Sequence, residues 1–218
     1  MAQIFSPHAN QVVYLVLYGL LALVLVVPIA WVTIDHSPWQ TGQFLAQAQP
    51  VPFSHAHHVG EIGLTCEYCH GAVKTSASAG MPATEVCMTC HSQILADAPV
   101  LAPIRASFAS GTPVVWKRVN QLPDYVYFNH AAHVNNGVGC VTCHGRIDEM
   151  PLTVQAAPLT MEWCLNCHRD PAPNLRPETA EFSMDWQPAD DPRSLGTALL
   201  AHYQIHPEAL TDCYVCHR

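Results

Sequence analysis

The pattern of hydrophobic and polar positions divides the chain into a short apolar part and a long polar part. Residues 12–34 form an unbroken run without a charged side chain. As an α-helix this run would be about 35 Å long, enough to cross a hydrocarbon core of about 30 Å. We therefore predict a transmembrane helix at 12–34, with a short terminus at 1–11 on one side and residues 35–218 on the other.

A cleaved signal peptide is the alternative reading of this run. Ala46-Gln47-Ala48 offers a cleavage site with small residues at the required spacing. The apolar region of a signal peptide is usually about 7–15 residues long, however, and the run at 12–34 is much longer. Its length favours an uncleaved membrane anchor.

A repeated block organises the polar part. Residues 53–59 read Phe-Ser-His-Ala-His-His-Val, and residues 128–134 read Phe-Asn-His-Ala-Ala-His-Val. Each block is followed by Cys-x-x-Cys-His-Gly and then by a second Cys-x-x-Cys-His. Internal similarity of this kind indicates a duplication. We place the first unit at 50–100 and the second unit at 125–170.

The remainder, 171–218, is rich in proline and carries one further Cys-x-x-Cys-His at its end. Proline interrupts regular helices and removes backbone donors from sheets. We therefore expect this segment, the strap, to be largely extended, with one short helix near Leu195 to Tyr203.

All ten cysteines belong to five Cys-x-x-Cys-His motifs, which we number I to V along the chain. This spacing is the attachment signature of c-type haem, in which two thiols bond to the vinyl groups and the histidine binds the iron. The predicted attachment residues are Cys66 and Cys69 (motif I), Cys87 and Cys90 (II), Cys140 and Cys143 (III), Cys164 and Cys167 (IV), and Cys213 and Cys216 (V). The predicted proximal iron ligands are His70, His91, His144, His168 and His217.

Zinc ribbons, redox dithiols and structural disulfides also use paired cysteines. None of these sites needs a histidine directly after each pair, so we predict five covalently attached c-type haems. Haems of this type are attached outside the cytoplasm as a general rule. We therefore expect residues 1–11 to be cytoplasmic and 35–218 to form a periplasmic pentahaem domain on the outer side of a bacterial inner membrane.

The fold follows from how little chain is available. Residues 49–218 supply about 34 residues for each haem, too few for an ordinary apolar core. We predict a multihaem cytochrome c fold: one N-terminal transmembrane helix, then a loop-rich domain of short α-helices wrapped around five haems, with little β structure.

The repeated blocks supply the best candidates for distal iron ligands. Two histidines three positions apart on a helical turn lie on nearly the same face, so each can reach a different iron. We predict that His55 and His130 serve the leading haem of their own unit, and that His58 and His133 each reach another haem. His57 has Ala132 as its counterpart, so we interpret His57 as a surface residue or a propionate contact.

The distal ligand of the fifth haem stays open between two alternatives. Histidines His202 and His206 precede motif V. A methionine is the other option, because a Met/His pair raises haem potential; the candidates are Met150 and Met161.

The blocks and motifs resemble those of class III (cytochrome c3/c7-like) multihaem cytochromes. The anchor, the five motifs, the segment Leu159-Thr160-Met161-Glu162-Trp163-Cys164 and the terminal motif also resemble the pentahaem subunit of bacterial alternative complex III. That resemblance implies a respiratory electron-transfer subunit rather than an enzyme in its own right. It also implies partners: an iron–sulfur protein, polytopic quinol-binding membrane subunits and a monohaem cytochrome c.

Two other function classes are open. An anchored periplasmic quinol dehydrogenase of the tetrahaem type, delivering electrons to a periplasmic reductase, also has one N-terminal helix but normally four haems. A stand-alone multihaem enzyme, such as a pentahaem nitrite reductase, needs an iron with a free position, often marked by lysine in place of the motif histidine. Nucleic acid is excluded as a partner, because the net charge is −8.

Overall fold

The computed structural model describes residues 6, 8–189 and 191–217. The chain divides into two compact parts, Met1–Gly42 and Gln43–Arg218. The N-terminal part contains helix α1, Ala9–Asp35, and a short helix α2, Pro38–Thr41. No residue of α1 is buried, and α1 is the one helix in the described residues that is long and apolar enough to cross a membrane. Helix α1 therefore begins before the predicted span and continues to Asp35, through Pro28.

The haem-motif part consists of short helices separated by loops. The described residues contain no strand, only isolated bridges between Gln43 and Gln155 and between Val138 and Leu175. The helical and loop-rich fold with little β structure is thus confirmed. The α-helices here are α3 (Cys66–Cys69), α4 (Thr84–His91), α5 (Ala102–Ser110), α6 (His130–Val134), α7 (Cys140–His144), α8 (Met161–Arg169), α9 (Pro192–His202) and α10 (Cys213–Cys216).

Helix α5 was not predicted, although the sequence contains its end signals. Pro103 stands in its first turn, where the missing N–H is no loss, and Gly111 follows its end with a φ of 66°. A proline at the start and a left-handed glycine just after the end are typical of helices. With Val51, Leu101 and Ile104, the segment forms a small apolar cluster against Cys87 and other residues of α4 and the loop after α5.

The duplicated blocks fold differently although their sequences are similar. The second block forms the α-helical turn α6, whereas the first forms a π-helix, Ala56–Glu61, closed by the bond from Ile62 N to His57 O. The first block has one more residue between its first histidine and its first cysteine than the second block. A π-helical turn accommodates one additional residue within a helix.

The strap is more structured than predicted. Besides α9, it contains single 3₁₀ turns at Ala172–Asn174, Glu178–Ala180 and Pro207–Ala209. Helix α9 lies so close to the first of these turns that a Cβ at Gly196 would overlap the Ala172 carbonyl group. Helix α9 confirms the helix expected near Leu195 to Tyr203, and it begins at Pro192 with the Asp191 side chain as its N-cap.

Candidate haem sites

Each motif begins in a helical turn that gives its two cysteines the same orientation. Motifs I, III and V start at the first residue of α3, α7 and α10, after an extended residue. Motifs II and IV form the last turns of the longer helices α4 and α8. Positions i and i+3 of a helix are neighbours on one face, so both thiols of a motif can meet one porphyrin edge. None of the ten cysteines forms a disulfide.

The five motif histidines and the four paired histidines of the blocks share one feature: their Nδ1 atoms contact a polar atom of the protein. A histidine that binds a metal through Nε2 commonly donates its Nδ1 proton in this way, which holds the ring and its tautomer. Seven partners are backbone carbonyl oxygens, at 2.7–3.1 Å: Ser54 for His58, Gly80 for His70, Ile94 for His91, Ala77 for His130, Asn129 for His133, Leu210 for His168 and Tyr125 for His217.

The other two histidines have side-chain partners. The Thr153 hydroxyl oxygen lies 2.9 Å from His55 Nδ1 and can accept its proton. The Asn120 side-chain amide nitrogen lies 3.3 Å from His144 Nδ1, and in this orientation it donates to the ring instead of accepting from it. Neither partner was predicted. No local sequence signal points to them, because they lie 98 and 24 positions away from the histidines that they contact.

A phenylalanine orients both histidines of each block. Phe128 stacks on His133 at 4.5 Å between ring centroids and meets His130 edge to face at 4.7 Å. In the first block, Phe53 makes the same two contacts, at 4.4 Å with His58 and at 4.9 Å with His55. The two blocks therefore present their imidazoles in the same way despite their different helical turns.

Three distal candidates face a motif histidine at the spacing that an iron atom requires. With metal–nitrogen bonds of about 2 Å on both sides, two imidazole centroids are about 6 Å apart. His130 and His144 are separated by 6.5 Å with nearly parallel rings, His133 and His168 by 6.0 Å, and His58 and His91 by 6.1 Å. The first histidine of the second block thus faces its own leading motif, and the second histidine of each block faces the later motif of its unit.

Burial favours the neutral form, which is the form that binds a metal, for three histidines: His55, His144 and His133. Burial, followed by the neighbouring His70, His144 and His58, lowers the pKa of His55 to about 4. Burial, followed by His130 and His70, lowers the pKa of His144 to about 4. Burial also lowers the pKa of His133. His55 thus lies among the histidines of the two leading motifs.

Contacts between motifs define their spatial neighbours. Motifs I and II are joined by a 2.8 Å hydrogen bond between Tyr68 and Thr89. Motifs I and III meet across the two units: the neighbouring Cys140 thiol lowers the pKa of Cys66, and the Cys66 thiol raises the pKa of Cys140.

Motif III in turn lies beside motif IV, and motif IV beside motif V. Burial raises the pKa of Cys143 to about 12, with further contributions from the neighbouring thiols of Cys167 and Cys164. Burial, followed by the neighbouring Cys216 thiol, raises the pKa of Cys164. The motifs therefore follow the spatial order II–I–III–IV–V, which differs from their order along the chain.

The surroundings of His217 differ from those of the other four motif histidines. Its Nδ1 and its ring both contact Tyr125, at 3.1 Å from the Tyr125 carbonyl oxygen and 5.8 Å between ring centroids. Within the described residues, neither His202 nor His206 forms a ring pair with His217. His202 packs on Tyr203, and His206 lies 3.4 Å from the Glu208 carboxylate.

The methionine candidates lie elsewhere. Met161 is 65% exposed at the start of α8. The end of the Met150 side chain lies near Gly145, directly after motif III. His57, interpreted as a surface residue, is exposed and contacts the Glu61 carboxylate at 2.7 Å. The distal ligand of motif V therefore stays open between the alternatives given above.

Comparison with known proteins agrees with this arrangement. Residues 51–106, which contain the first block and motifs I and II, match the family model described as cytochrome c7 and related cytochrome c. This segment is therefore similar to multihaem cytochromes c. The chain is 40% identical over 97 residues to the menaquinone reductase, multiheme cytochrome c subunit, of Nitratidesulfovibrio vulgaris.

The aligned region is 44% of this chain and 45% of that relative, so the chain spans less than half the length of the curated relative that it matches. The c7-like resemblance is confirmed for residues 51–106, and similarity to the menaquinone reductase subunit extends over 97 residues. Membership of alternative complex III stays a prediction.

Proposed function

We propose that this chain is a membrane-anchored electron-transfer subunit that carries five c-type haems and connects a quinone-reactive membrane complex to a periplasmic redox partner. The observation that carries the proposal is the set of three imidazole pairs at 6.0–6.5 Å, each with both Nδ1 atoms occupied. Side chains arranged in this way fit an iron atom between them and a porphyrin plane across the gap.

The residues of the chain have three roles in this proposal. The cysteines of each motif hold one haem covalently, and the motif histidine binds its iron from the proximal side. His58, His130 and His133 bind the irons of motifs II, III and IV from the distal side, and His55 binds that of motif I. Haem iron supplies one-electron transfer between its ferric and ferrous states.

The order of the motifs supports a continuous path. Neighbouring motifs in the series II–I–III–IV–V lie close enough for their side chains to interact, so haems held by them would be adjacent. Motifs II and V are the two ends of the series. We infer that electrons move between a partner at one of these ends and a partner at the other.

The direction of flow separates two candidate functions. The resemblance to alternative complex III implies electrons leaving a quinol-oxidising membrane complex, containing an iron–sulfur protein and polytopic subunits, towards a soluble or monohaem cytochrome or a terminal acceptor. The curated relative is described as part of a menaquinone reductase, which implies the opposite direction. An anchored quinol dehydrogenase that feeds a periplasmic reductase is the alternative without such a complex.

Helix α1 is the proposed membrane anchor, with the haem-bearing part on the periplasmic side. An N-terminal helix of this kind also fits a signal sequence. Its length supports the anchor. The N-terminal sequence of the mature protein, purified from membranes, tests this assignment: an intact start upstream of α1 supports the anchor, and a start after Ala48 contradicts it.

The ligand assignment is tested by replacing adjacent histidines. His58→Ala should convert one low-spin haem, that of motif II, to high spin, because its imidazole faces His91. His57→Ala is the matched control, since His57 contacts an exposed carboxylate, and it should leave every haem low-spin. Electron paramagnetic resonance at low temperature distinguishes the two states. A high-spin haem in the control, or none in His58→Ala, contradicts the assignment.

A further inference from the structure

In each unit, the Nδ1 atom of the first block histidine contacts a residue of the other unit. His55 of the first unit has its Nδ1 atom 2.9 Å from the Thr153 hydroxyl of the second unit. His130 of the second unit has its Nδ1 atom 2.9 Å from the Ala77 carbonyl oxygen of the first unit. The contacts are reciprocal, but the two acceptors differ: one is a side-chain hydroxyl and the other is a backbone amide carbonyl.

We propose that Thr153 is a positioning residue that acts through His55 and sets the haem of motif I at a higher reduction potential than it would have with a carbonyl acceptor, as His130 has at motif III. The proposal rests on the proposed function, specifically on His55 as the distal ligand at motif I. In this proposal the adjacent haems of motifs I and III have different reduction potentials because of a single hydroxyl group.

The physical basis is the hydrogen bond on the far side of the ring. An acceptor at Nδ1 draws the proton away from the ring and makes Nε2 a stronger electron donor to the metal. An amide carbonyl oxygen, which carries more negative charge than a hydroxyl oxygen, does this more strongly. A stronger donor stabilises ferric iron and lowers the potential, so the weaker hydroxyl acceptor leaves the potential higher.

The aromatic packing of the two histidines is matched, so it does not distinguish the two sites. Phe53 meets His55 edge to face at 4.9 Å and 86°, and Phe128 meets His130 at 4.7 Å and 88°. Both histidines also precede a second histidine that stacks on the same phenylalanine. Aromatic packing therefore contributes similarly to both sites.

The Thr153 hydroxyl is held in place by bonds on both sides of it in the chain. The Met150 carbonyl accepts from Ala56 N at 3.0 Å, which ties this segment to the first block. The Gln155 carbonyl accepts from Phe44 N at 2.9 Å, and Gln155 is 3% exposed. A group held in this way acts on its ligand through a defined geometry, as tuning of a metal ligand requires.

The test is spectroelectrochemical titration of the full-length protein with its haems, comparing Thr153→Val with the wild type. Valine keeps the shape of threonine and removes the acceptor. We expect the potential of one haem to rise, the resonance signal of that haem to change, and the other haems to keep their potentials. Thr153→Ser, which restores a hydroxyl, should return the potential towards the wild-type value.

Thr197→Val is the matched control, because the Thr197 hydroxyl donates to the Arg193 carbonyl in the exposed part of α9. It should leave all potentials unchanged. If Thr153→Val is recovered with fewer haems than the wild type, Thr153→Ala, which adds no bulk, replaces it in the titration. Unchanged potentials in the valine or alanine variant overturn the inference, and so does a serine variant that shifts as much as the valine variant.

A separate variant distinguishes failure of this inference from failure of the proposed ligation. His55→Ala should make one haem high-spin. If every haem stays low-spin in His55→Ala, the ligand assignment is wrong and the inference falls with it. If His55→Ala gives a high-spin haem while Thr153→Val leaves every potential unchanged, the ligation stands and only the role of Thr153 is overturned.

Discussion

The two units reach the same ligand arrangement from different backbones. The first block forms a π-helical turn and the second an α-helical turn, yet the phenylalanine–histidine contacts agree within 0.2 Å between ring centroids. Each block packs against the loop after the leading motif of the other unit: Ala56 N donates to Met150 O, and Ala131 N donates to Ser76 O. The first histidine of each block is therefore held by the other unit, and the second by a carbonyl oxygen of its own block.

The units differ most in what surrounds their later motifs. Motif II adjoins the small apolar cluster built from Val51, Leu101 and Ile104. Motif IV instead adjoins the strap, where His168 Nδ1 lies 2.9 Å from the Leu210 carbonyl oxygen. The duplication thus produced two similar central sites, and the segments added to each unit made one end of the series different from the other.

The largest expected effect is the loss of a haem from either unit. Cys66→Ser with Cys69→Ser, and Cys140→Ser with Cys143→Ser, should each reduce the count from five haems to four, because each pair holds one haem. A haemochrome assay with intact-mass measurement gives the count. A wild-type count below five in fully matured protein, or an unchanged count in either variant, would contradict the equivalence of the two units.

The next largest effect concerns the ion pair between the first unit and the strap. Glu181 is 1% exposed, and Lys74 Nζ lies 2.8 Å from its carboxylate. Burial raises the pKa of Glu181, and Lys74 opposes that rise. Lys74→Met should lower the free energy of unfolding by about 2–3 kcal/mol near neutral pH, because it leaves a buried carboxylate without a counter-charge.

The direction of the Glu181 pKa shift determines how the stability depends on pH. With its folded pKa above the unfolded value, Glu181 binds more protons in the folded state, so stability falls as pH rises through that window. Acidification should therefore restore part of the loss in Lys74→Met. Adding Glu181→Gln should do the same at neutral pH, whereas the exposed Glu178→Gln is the control and should change little. Thermal unfolding of the solubilised full chain measures each case.

A smaller effect is expected where the first block touches the second unit. A Cβ at Gly60 would lie 2.4 Å from the Asp148 carbonyl oxygen, whereas a Cβ at Gly71 would meet its nearest atom at 3.7 Å. Gly60→Ala should cost about 1–2 kcal/mol of stability through overpacking, and Gly71→Ala should cost less. Equal melting temperatures for the two variants would show that the contact between the units adapts without cost.

The last prediction is that the isolated chain does not react with quinol. Residues 12–34 contain no Asp, Glu, His, Lys or Arg, and oxidation of quinol needs a base to accept its protons. The purified chain alone, with its haems, should therefore not be reduced by a quinol analogue within the turnover time of the complex. Rapid reduction that a quinone-site inhibitor blocks would favour the anchored quinol dehydrogenase and remove the need for a polytopic partner.

Local spacing in the sequence was enough to define the candidate residues. The positions of the cysteines and histidines in motifs I to V, and the paired histidines of the blocks, follow from short-range chemistry, because two thiols and one imidazole must meet the same haem. The loop-rich fold followed from the small number of residues per motif. The helix α5 could also have been predicted from Pro103 and Gly111, since end signals are local.

Only the tertiary structure decided which sites are neighbours. The order II–I–III–IV–V depends on contacts such as that between Cys66 and Cys140, which are far apart along the chain. The acceptors at Ala77 and Thr153 could not be predicted either, because a backbone carbonyl has no sequence signature and the contacts span 53 and 98 positions. The candidate haem ligands can be recognised from residues a few positions apart in the sequence. The surroundings of each ligand depend instead on how the two units pack together.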